Sequence, residues 1–279
     1  MKTPRISLVT PSYNQAAFLE NTLLSVLEQG YPNLEYIVMD GGSTDGSVEI
    51  IQKYARHITY WQSQPDGGQV AALNAAFERA TGDIFGFLNS DDFLLQGALR
   101  HILDLYIQHP QAAGWVGGGQ SIFWDGYILN TRPPQKIERD DLANWEENWF
   151  FQPACFFSAG LARKAGPIDV QYNNAFDFDY WMRLTELGEL VPTQHILAAA
   201  TTHPDAKTQK YHAHMFEEVQ DIQRRYGYAD LALGTQSFID QARHQTHTST
   251  VARLIYLVNS EKKKDPGRFI RFPEKTGKA

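Results

Sequence analysis

The apolar positions in the N-terminal part of this chain switch repeatedly between two periods. The run "ISLVT" (Ile6 to Thr10) is continuously apolar and predicts a buried strand. "PSYNQAAF" turns that strand into a helix on which Phe18, Leu19, Thr22, Leu23, Val26 and Leu27 keep helical spacing, until Gly30 and Pro32 stop it. "LEYIVMD" predicts a second strand, closed by the turn "GGSTDGS", and Val48, Ile50, Ile51 and Tyr54 mark the next helix. "ITYW" predicts a short third strand and "PDGGQ" a loop. Val70 to Ala80 form an alanine-rich helix ended by Gly82, and "IFGFL" is a fourth strand. Strands alternating with helices at this spacing predict an α/β fold with a mostly parallel central sheet flanked by helices. In such open sheets ligands sit beyond the carboxyl ends of the strands. Thr10 to Ser12, Asp40 and Asn89 to Asp92 all fall there.

The second half is less regular. "AAGWVGGGQSIF" predicts another strand pair with glycine turns, and "PPQKIERDDLANW" an exposed excursion before a short helix. "FFQPACFFSAGLARKAG" joins an apolar segment to a helix, and "FDFDYWMRLTELG" is helical. His212 to Tyr226 is an amphipathic helix, with one or two further helices expected between Leu231 and Val258. The expected division is a main domain over 1–210, with halves at about 1–118 and 119–210, and a helical extension with a basic tail over 211–279.

Composition narrows the partners. With 279 residues, 43% of them hydrophobic, and a net charge of -7, the chain has a core of ordinary size and nothing that calls for nucleic acid. The end differs: Lys262, Lys263, Lys264, Arg268, Arg271, Lys275 and Lys278 make a basic tail, either a solvated end or a peripheral contact for phosphate or an anionic membrane. The single cysteine, Cys155, lies in the apolar run "FFQPACFF" and reads as a buried small hydrophobe. The N-terminus has no signal-peptide core and no stretch is long enough to span a membrane, so a cytoplasmic place, at most at the inner face of the membrane, is expected.

The polar insert "NSDD" (Asn89 to Asp92) interrupts an apolar stretch with adjacent carboxylates. Two readings compete: Asp91 and Asp92 cap a helix, or they bind a divalent cation, Mg²⁺ or Mn²⁺, that removes the penalty of placing like charges together. Asp40 either forms the glycine turn or accepts hydrogen bonds from a base or ribose. No Gly-x-Gly-x-x-Gly or Gly-Lys-Ser/Thr loop follows the first strand. His195, His203, His212 and His214 match no zinc spacing.

Three blocks taken together, "ISLVTPSYNQAAFLENTLLSVLEQGYPNLEYIVMDGGSTDGS", "PDGGQVAALNAAFERATGDIFGFLNSDD" and "NAFDFDYWMRL", resemble the family 2 glycosyltransferases. The resemblance implies a GT-A fold and inverting transfer of a sugar from a nucleoside-diphosphate donor. The donor implied is a UDP-sugar, with dTDP- and GDP-sugars as alternatives. The acceptor implied is a hydroxyl of a polysaccharide, a lipid-linked O-antigen unit or another glycan.

Residue by residue, Pro11, Ser12 and Tyr13 match the first nucleotide-binding loop, and Asp40 the base-reading aspartate. Asp66, Gly67, Gly68 and Gln69 match a loop near the nucleotide and donor sugar. "NSDD" matches the family's Asp-x-Asp metal motif with Asn89 in place of its first Asp, so Asn89 and Ser90 fall on the donor side. Asp91 and Asp92 are then the expected carboxylates for Mn²⁺ or Mg²⁺. "FDFD" stands where the family reads Glu-Asp-x-Asp, with Phe176 for the Glu. Asp177 aligns with the catalytic base, while Asp179 is either a second candidate or an i,i+4 partner of Arg183. Gln152, in "WFFQPACFF", is an acceptor-side candidate, because an amide among phenylalanines needs a partner. His203 and Lys207, in "TTHPDAKTQK", are phosphate candidates or members of a solvated loop. Two other readings stay open: a nucleotidyltransferase, against which the missing basic glycine loop counts, and a non-catalytic nucleotide-sugar-binding module, which Asn89 and Phe176 keep alive.

Overall fold

The computed structural model describes residues 3–134, 137–148 and 150–244, with 258–259, 262–265, 267–268 and 270 beyond them. Trp149 and the tail residues Arg271, Lys275 and Lys278 lie outside the described residues, as does most of the stretch from 245 to Val258.

The N-terminal half follows the predicted alternation. Strand β1 (Ile6–Ser12) leads to helix α1 (Ala16–Leu27), β2 (Leu34–Asp40) to α2 (Ser47–Tyr54), β3 (Tyr60–Ser63) to α3 (Gln69–Arg79), and β4 (Ile84–Phe87) to the two-residue β5 (Phe93–Leu94) and α4 (Ala98–Gln108). Strand β3 starts two residues later than "ITYW" suggests. A tight turn over Ala55–His57 drops the buried Ile58 into the core ahead of the ladder. β1 pairs in parallel with β2 and β4, and β2 with β3, in a register that sets Ser12 beside Asp40 and Asp40 beside Ser63.

These strands read as unbroken apolar runs because both faces are covered. Leu8, Tyr36 and Val38 pack toward α1, α2 and α4, whereas Val9, Ile37 and Met39 pack toward α3 and helices from the second half.

The second half adds β6 (Gly114–Phe123), β7 (Ile128–Arg132), α5 (Arg139–Ala143), α6 (Trp145–Asn148), β8 (Cys155–Ser158), α7 (Ala159–Ala165), α8 (Phe176–Thr185), β9 (Leu190–Thr202), α9 (Lys207–Lys210), α10 (His212–Arg225) and α11 (Ala229–Arg243). Cys155 is buried, as expected. Among the described residues the sheet has nine strands in the order β3-β2-β1-β4-β8-β6-β9-β5, with β7 paired to β6. It is parallel through β3-β2-β1-β4 and mixed beyond, since β8 runs antiparallel to both β4 and β6.

The glycine run does not turn. Gly117, Gly118 and Gly119 stay inside β6, where a Cβ would lie 2.3 Å from Leu197, 2.6 Å from Ile196 and 2.2 Å from Phe151 respectively. The hairpin comes later, at Trp124 to Gly126, where Gly126 has φ +90°. Strand β9 has no clear alternation in sequence. It is specified by parallel pairing to β6 through irregularities between Val116 and Gly119.

Those irregularities bend the sheet. Only residues 88–92 join β4 to β5, although β8, β6 and β9 lie between them in the pairing order. A flat sheet would hold the two strands about 20 Å or more apart. The connection contains a turn, with Asp92 N donating to Asn89 O at 3.1 Å, which leaves a reach of roughly 17 Å. The second half of the sheet therefore curls back toward the first.

At the C-terminal end, Lys262 pairs with Asp125 of the hairpin and lies over the rings of Phe123 and Tyr127. Among the described residues no helix is long and apolar enough to cross a membrane.

Candidate functional site

A cavity of about 870 Å³ opens at the carboxyl ends of the parallel strands. Its first wall is the end of β1: Pro11, Ser12 and Tyr13 all line it. The Ser12 hydroxyl is buried without a hydrogen-bond partner, while Tyr13 is 62% exposed. The neighbouring loops are tied together. Asn14, at φ +50°, donates its backbone N–H to Ser43 Oγ at 2.7 Å and accepts from Thr44 N at 2.9 Å.

Asp40 does not line the cavity. It is fully buried, and its carboxylate accepts from Gly42 N (3.1 Å), Ser43 N (2.9 Å), Ser43 Oγ (2.5 Å) and Ser63 Oγ (2.6 Å). It shapes the turn that presents Gly41. A side chain on Gly41 would come within 3.3 Å of the Tyr13 ring and 3.4 Å of the Asp66 carboxylate, so its bareness keeps a slot open between those two residues.

Asp66, Gly67, Gly68 and Gln69 form the next wall. The glycines have φ +85° and +103°, which side chains rarely adopt. Asp66 accepts from Gly68 N at 2.8 Å and so closes the loop onto the start of α3. Further along α3, Asn74 exchanges two hydrogen bonds with the backbone of Ile168 (2.8 and 2.9 Å) and fastens the helix to the second half.

The "NSDD" turn lies across the cavity floor, and its residues do different things. Asp92 is buried; it accepts from Thr201 N at 2.9 Å and from Asn89 Nδ2 at 3.2 Å. Burial first, and the adjacent Asp91 second, hold its carboxyl well above the usual range. Asp91 is partly open, with its side chain 18% exposed, and its Oδ2 lies 3.0 Å from Nε2 of His203. His203 is itself buried against the Phe18 ring, with centroids 4.4 Å apart. It neither lines the cavity nor sits in a solvated loop. Among the described residues no group of three or more His, Cys, Asp and Glu is placed to hold a metal ion.

Asn89 is a hub. Its carbonyl accepts from Gln69 Nε2 at 2.8 Å, and its amide donates to Asp92 Oδ2 and to Gln152 Oε1, each at 3.2 Å. Gln152 in turn donates to Phe87 O at 2.8 Å. An aspartate at 89 could make neither donation and would stand against two other carboxylates. Asn89→Asp is therefore expected to lower stability by about 1–3 kcal/mol, read as a fall of a few degrees in Tm. An unchanged Tm would remove the amide from this role.

The opposite wall comes from the second half. Asp177, in the first turn of α8, lines the cavity and accepts from Phe178 N at 2.9 Å. Burial pushes its carboxyl up to about 6; the Phe178 N–H and the Lys207 ammonium pull the other way. Lys207 donates to Gln69 Oε1 at 3.1 Å, to Asn173 Oδ1 at 2.8 Å and to Asn173 O, and so bridges the two walls. Burial pulls its ammonium down to about 8 against the opposing charges of Glu218 and Asp177. Asp179 faces away from the cavity. Fully buried, it pairs with Arg183 (3.0 Å) and Arg225 (3.4 Å) and accepts from the Tyr226 hydroxyl at 3.0 Å, which pins α8 to α10.

The structure thus brings Pro11, Ser12, Tyr13, Asp66 to Gln69, Asn89 to Asp92, Gln152, Asp177 and Lys207 into one cavity, and leaves Asp40, Asp179 and His203 behind its walls. The sequence reading missed Asn173, Asn174 and Tyr211, and named Phe176 only as the replacement of the motif's Glu; all four also line it. The Asn174 Oδ1 is buried and unpartnered. The pair Asn173-Asn174 just ahead of "FDFD" was the one available signal.

Comparison with known proteins is consistent with this geometry. The Glycosyl transferase family 2 profile matches residues 7–164. TuaG of Bacillus subtilis, named for a glycosyltransferase of teichuronic acid biosynthesis, is 36% identical over 145 residues, 50% of this chain and 56% of its own. An uncharacterized glycosyltransferase of Mycobacterium tuberculosis is 30% identical over 206 residues, covering 71% of this chain and 76% of its own. The chain spans about half the length of some of these relatives, 56% of TuaG and 45% of a Haemophilus influenzae glycosyltransferase. In fold it matches the mannosyltransferase PcManGT of Pyrobaculum calidifontis, solved with GDP-Man and Mn²⁺, at TM-score 0.63 and 16% identity over 95% of this chain and 82% of that one. The span of the profile match, the Mycobacterium relative and the shared α/β architecture agree: this chain belongs to glycosyltransferase family 2.

Proposed function

We propose that this chain transfers a sugar from a nucleoside-diphosphate donor to a hydroxyl acceptor, with inversion at the anomeric carbon. The observation that carries the reading is that Asp91 and Asp177, from opposite halves of the sequence, face one cavity. The slot between Tyr13 and Asp66, with the unpartnered Ser12 hydroxyl beside it, suits the nucleoside. The diphosphate then runs toward Asp91, and the sugar toward Gln69, Gln152 and Asp177.

In one displacement the acceptor hydroxyl attacks the anomeric carbon as the nucleoside diphosphate leaves. Asp177 takes the hydroxyl proton; a carboxyl near 6 is mostly ionised at neutral pH yet more basic than an exposed aspartate. The diphosphate departs without a protonating acid, so the paired acid and base of a hydrolase are not required. Phe150, Phe176 and Tyr211 on the Asp177 side offer rings for an acceptor sugar, and Asn173 and Asn174 offer amides.

Asp91 and His203 are the donors a divalent cation would use. Asp91 Oδ2 and the buried His203 Nε2 lie 3.0 Å apart, which offers one carboxylate and one imidazole on a rigid backing. Asp92, engaged by Thr201 and Asn89, serves the turn instead. Mn²⁺ or Mg²⁺ held there would take its remaining ligands from phosphate oxygens and water, and bound it would neutralise the charge that grows on the leaving diphosphate. An imidazole in the set favours Mn²⁺ over the harder Mg²⁺.

The names of relatives point to glycan synthesis: teichuronic acid for TuaG, and hyaluronan for a Pasteurella multocida synthase that is 27% identical over 73% of this chain and 21% of its own. We take a polysaccharide or lipid-linked glycan as the acceptor class. UDP-sugars are the first donors to test, because TarS of S. aureus, whose fold matches at TM-score 0.60 with 15% identity over 85% of this chain and 71% of that one, was solved with UDP-GlcNAc. GDP-sugars come second, after PcManGT.

Thermal unfolding with UDP, GDP, dTDP and their sugars, with and without Mn²⁺, tests the reading. A ligand at a hundred times its Kd stabilises the fold by about 2.7 kcal/mol. One nucleotide class should raise Tm by several degrees, and only with the cation. A flat response to all of them would overturn the proposal.

A further inference from the structure

Asp177 stands in the first turn of a helix that has no cap of its own. The residue before α8 is Ala175, and no side chain at that position accepts a first-turn amide. Amides left unpaired in a buried place are costly. The amides just ahead of the helix, at Asn173, Asn174 and Ala175, are held from α10. One carboxylate oxygen of Glu218 accepts from Asn173 N at 3.0 Å and Asn174 Nδ2 at 3.2 Å; the other accepts from Asn174 N at 2.7 Å and Ala175 N at 2.8 Å. The side chain is only 7% exposed. Three consecutive backbone N–H groups closing on one buried carboxylate make an anion nest, here occupied by the protein's own side chain.

The contact continues into the cavity. Asn173, whose amide Glu218 holds, is also the residue that Lys207 grips through its carbonyl and side-chain oxygens. Two residues beyond Asp177, on the same helix, Asp179 is held by Arg225 and Tyr226 from the far end of α10. Helix α10 thus grips α8 at two points that bracket the Asp177 carboxylate.

We propose that Glu218 is a positioning residue for transfer: it fixes the amides that launch α8 and thereby sets where Asp177 meets the acceptor hydroxyl. This rests on the reading of Asp177 as the base. It gives the C-terminal helices a part in the chemistry, although none of the Glu218 contacts touches a reacting atom.

A cap that serves only folding would lower Tm and leave turnover per folded molecule alone. A positioning residue changes kcat. The ionisable groups that face Asp177 are Lys207 from α9, Glu218 from α10 and the Cys155 thiol from β8; those that face Glu218 are Lys207 and His214, the latter at 3.5 Å.

The test measures wild type, Asp177→Asn, Glu218→Gln and Glu218→Asp with the donor found in the nucleotide screen, each normalised to folded protein by circular dichroism. Glu218→Gln should lose roughly ten- to a hundredfold in kcat, with the Kd for the nucleoside diphosphate within twofold of wild type. Its acidic limb of kcat/KM should move to lower pH, because a negative charge behind Asp177 is gone. Glu218→Asp keeps the charge but falls one methylene short, so kcat should drop with the limb unmoved. Wild-type kcat in either variant overturns the inference, and if Glu218→Gln does not fold, Glu218→Asp decides alone. Equal turnover by wild type and Asp177→Asn would instead sink the Asp177 reading, a result that the Glu218 variants cannot mimic.

Discussion

Asp177→Asn is expected to cut kcat by two to four orders of magnitude while the nucleoside diphosphate binds as before. The loss is that of a positioned general base. Binding is spared because the amide matches the carboxylate in shape and can still accept the Phe178 N–H that fixes the side chain. The pH profile supplies a second check. In wild type the base works only when ionised, so kcat/KM should rise with pH through a limb near 6, set chiefly by burial of the carboxyl. In the asparagine variant the residual rate should show no such limb. Full turnover in Asp177→Asn, or a wild-type profile flat between pH 5 and 7, would show that another group takes the proton.

The second large effect is expected at Asp91. Asp91→Ala removes the open carboxylate of the pair with His203, and Mn²⁺-dependent nucleotide binding should weaken by a hundredfold or more, in the range seen when charge-assisted contacts are lost. The thermal shift with UDP or GDP should then be the same with and without Mn²⁺. His203→Ala should give the same loss of cation dependence. Asp92→Asn should not; its effect should fall on the Tm of the nucleotide-free protein, through the contacts with Thr201 and Asn89. Retained Mn²⁺ dependence in Asp91→Ala together with its loss in Asp92→Asn would reverse the assignment of the two neighbours. Isothermal titration with Mn²⁺ and nucleotide separates these outcomes.

Much of the fold was legible because the first half obeys local rules. Each strand is a short apolar run, each helix keeps its period, and the turns carry glycine where the backbone turns left-handed, as at Gly67 and Gly68. The second half depends on partners distant in sequence. Nothing near Gly117 to Gly119 announces that Leu197, Ile196 and Phe151 will press against them, so three glycines read as a turn. Strand β9 was invisible for the same reason.

In the site, motif positions located the cavity wall residues but not their partners. Asp91 and Asp92 are adjacent and alike in sequence; only the fold gives one to His203 and the other to Thr201. Asp40, which ends a strand at the active edge, could be placed there from sequence. That three donors of its own turn and the Ser63 hydroxyl of β3 occupy its carboxylate could not. Glu218 gave no signal at all, since a glutamate on an amphipathic helix ordinarily faces water.

The short link from β4 to β5 does two jobs at once. Most connections between elements lie loose on the surface and tolerate a residue more or less. Residues 88–92 cross the rim of a rolled sheet through a single turn, and the same residues display Asp91 and anchor Asp92. Shortening such a strap would pull on the sheet it fastens, and lengthening it would shift the carboxylates it displays. Diversity in what this scaffold accepts is therefore expected at other points of the rim than this link.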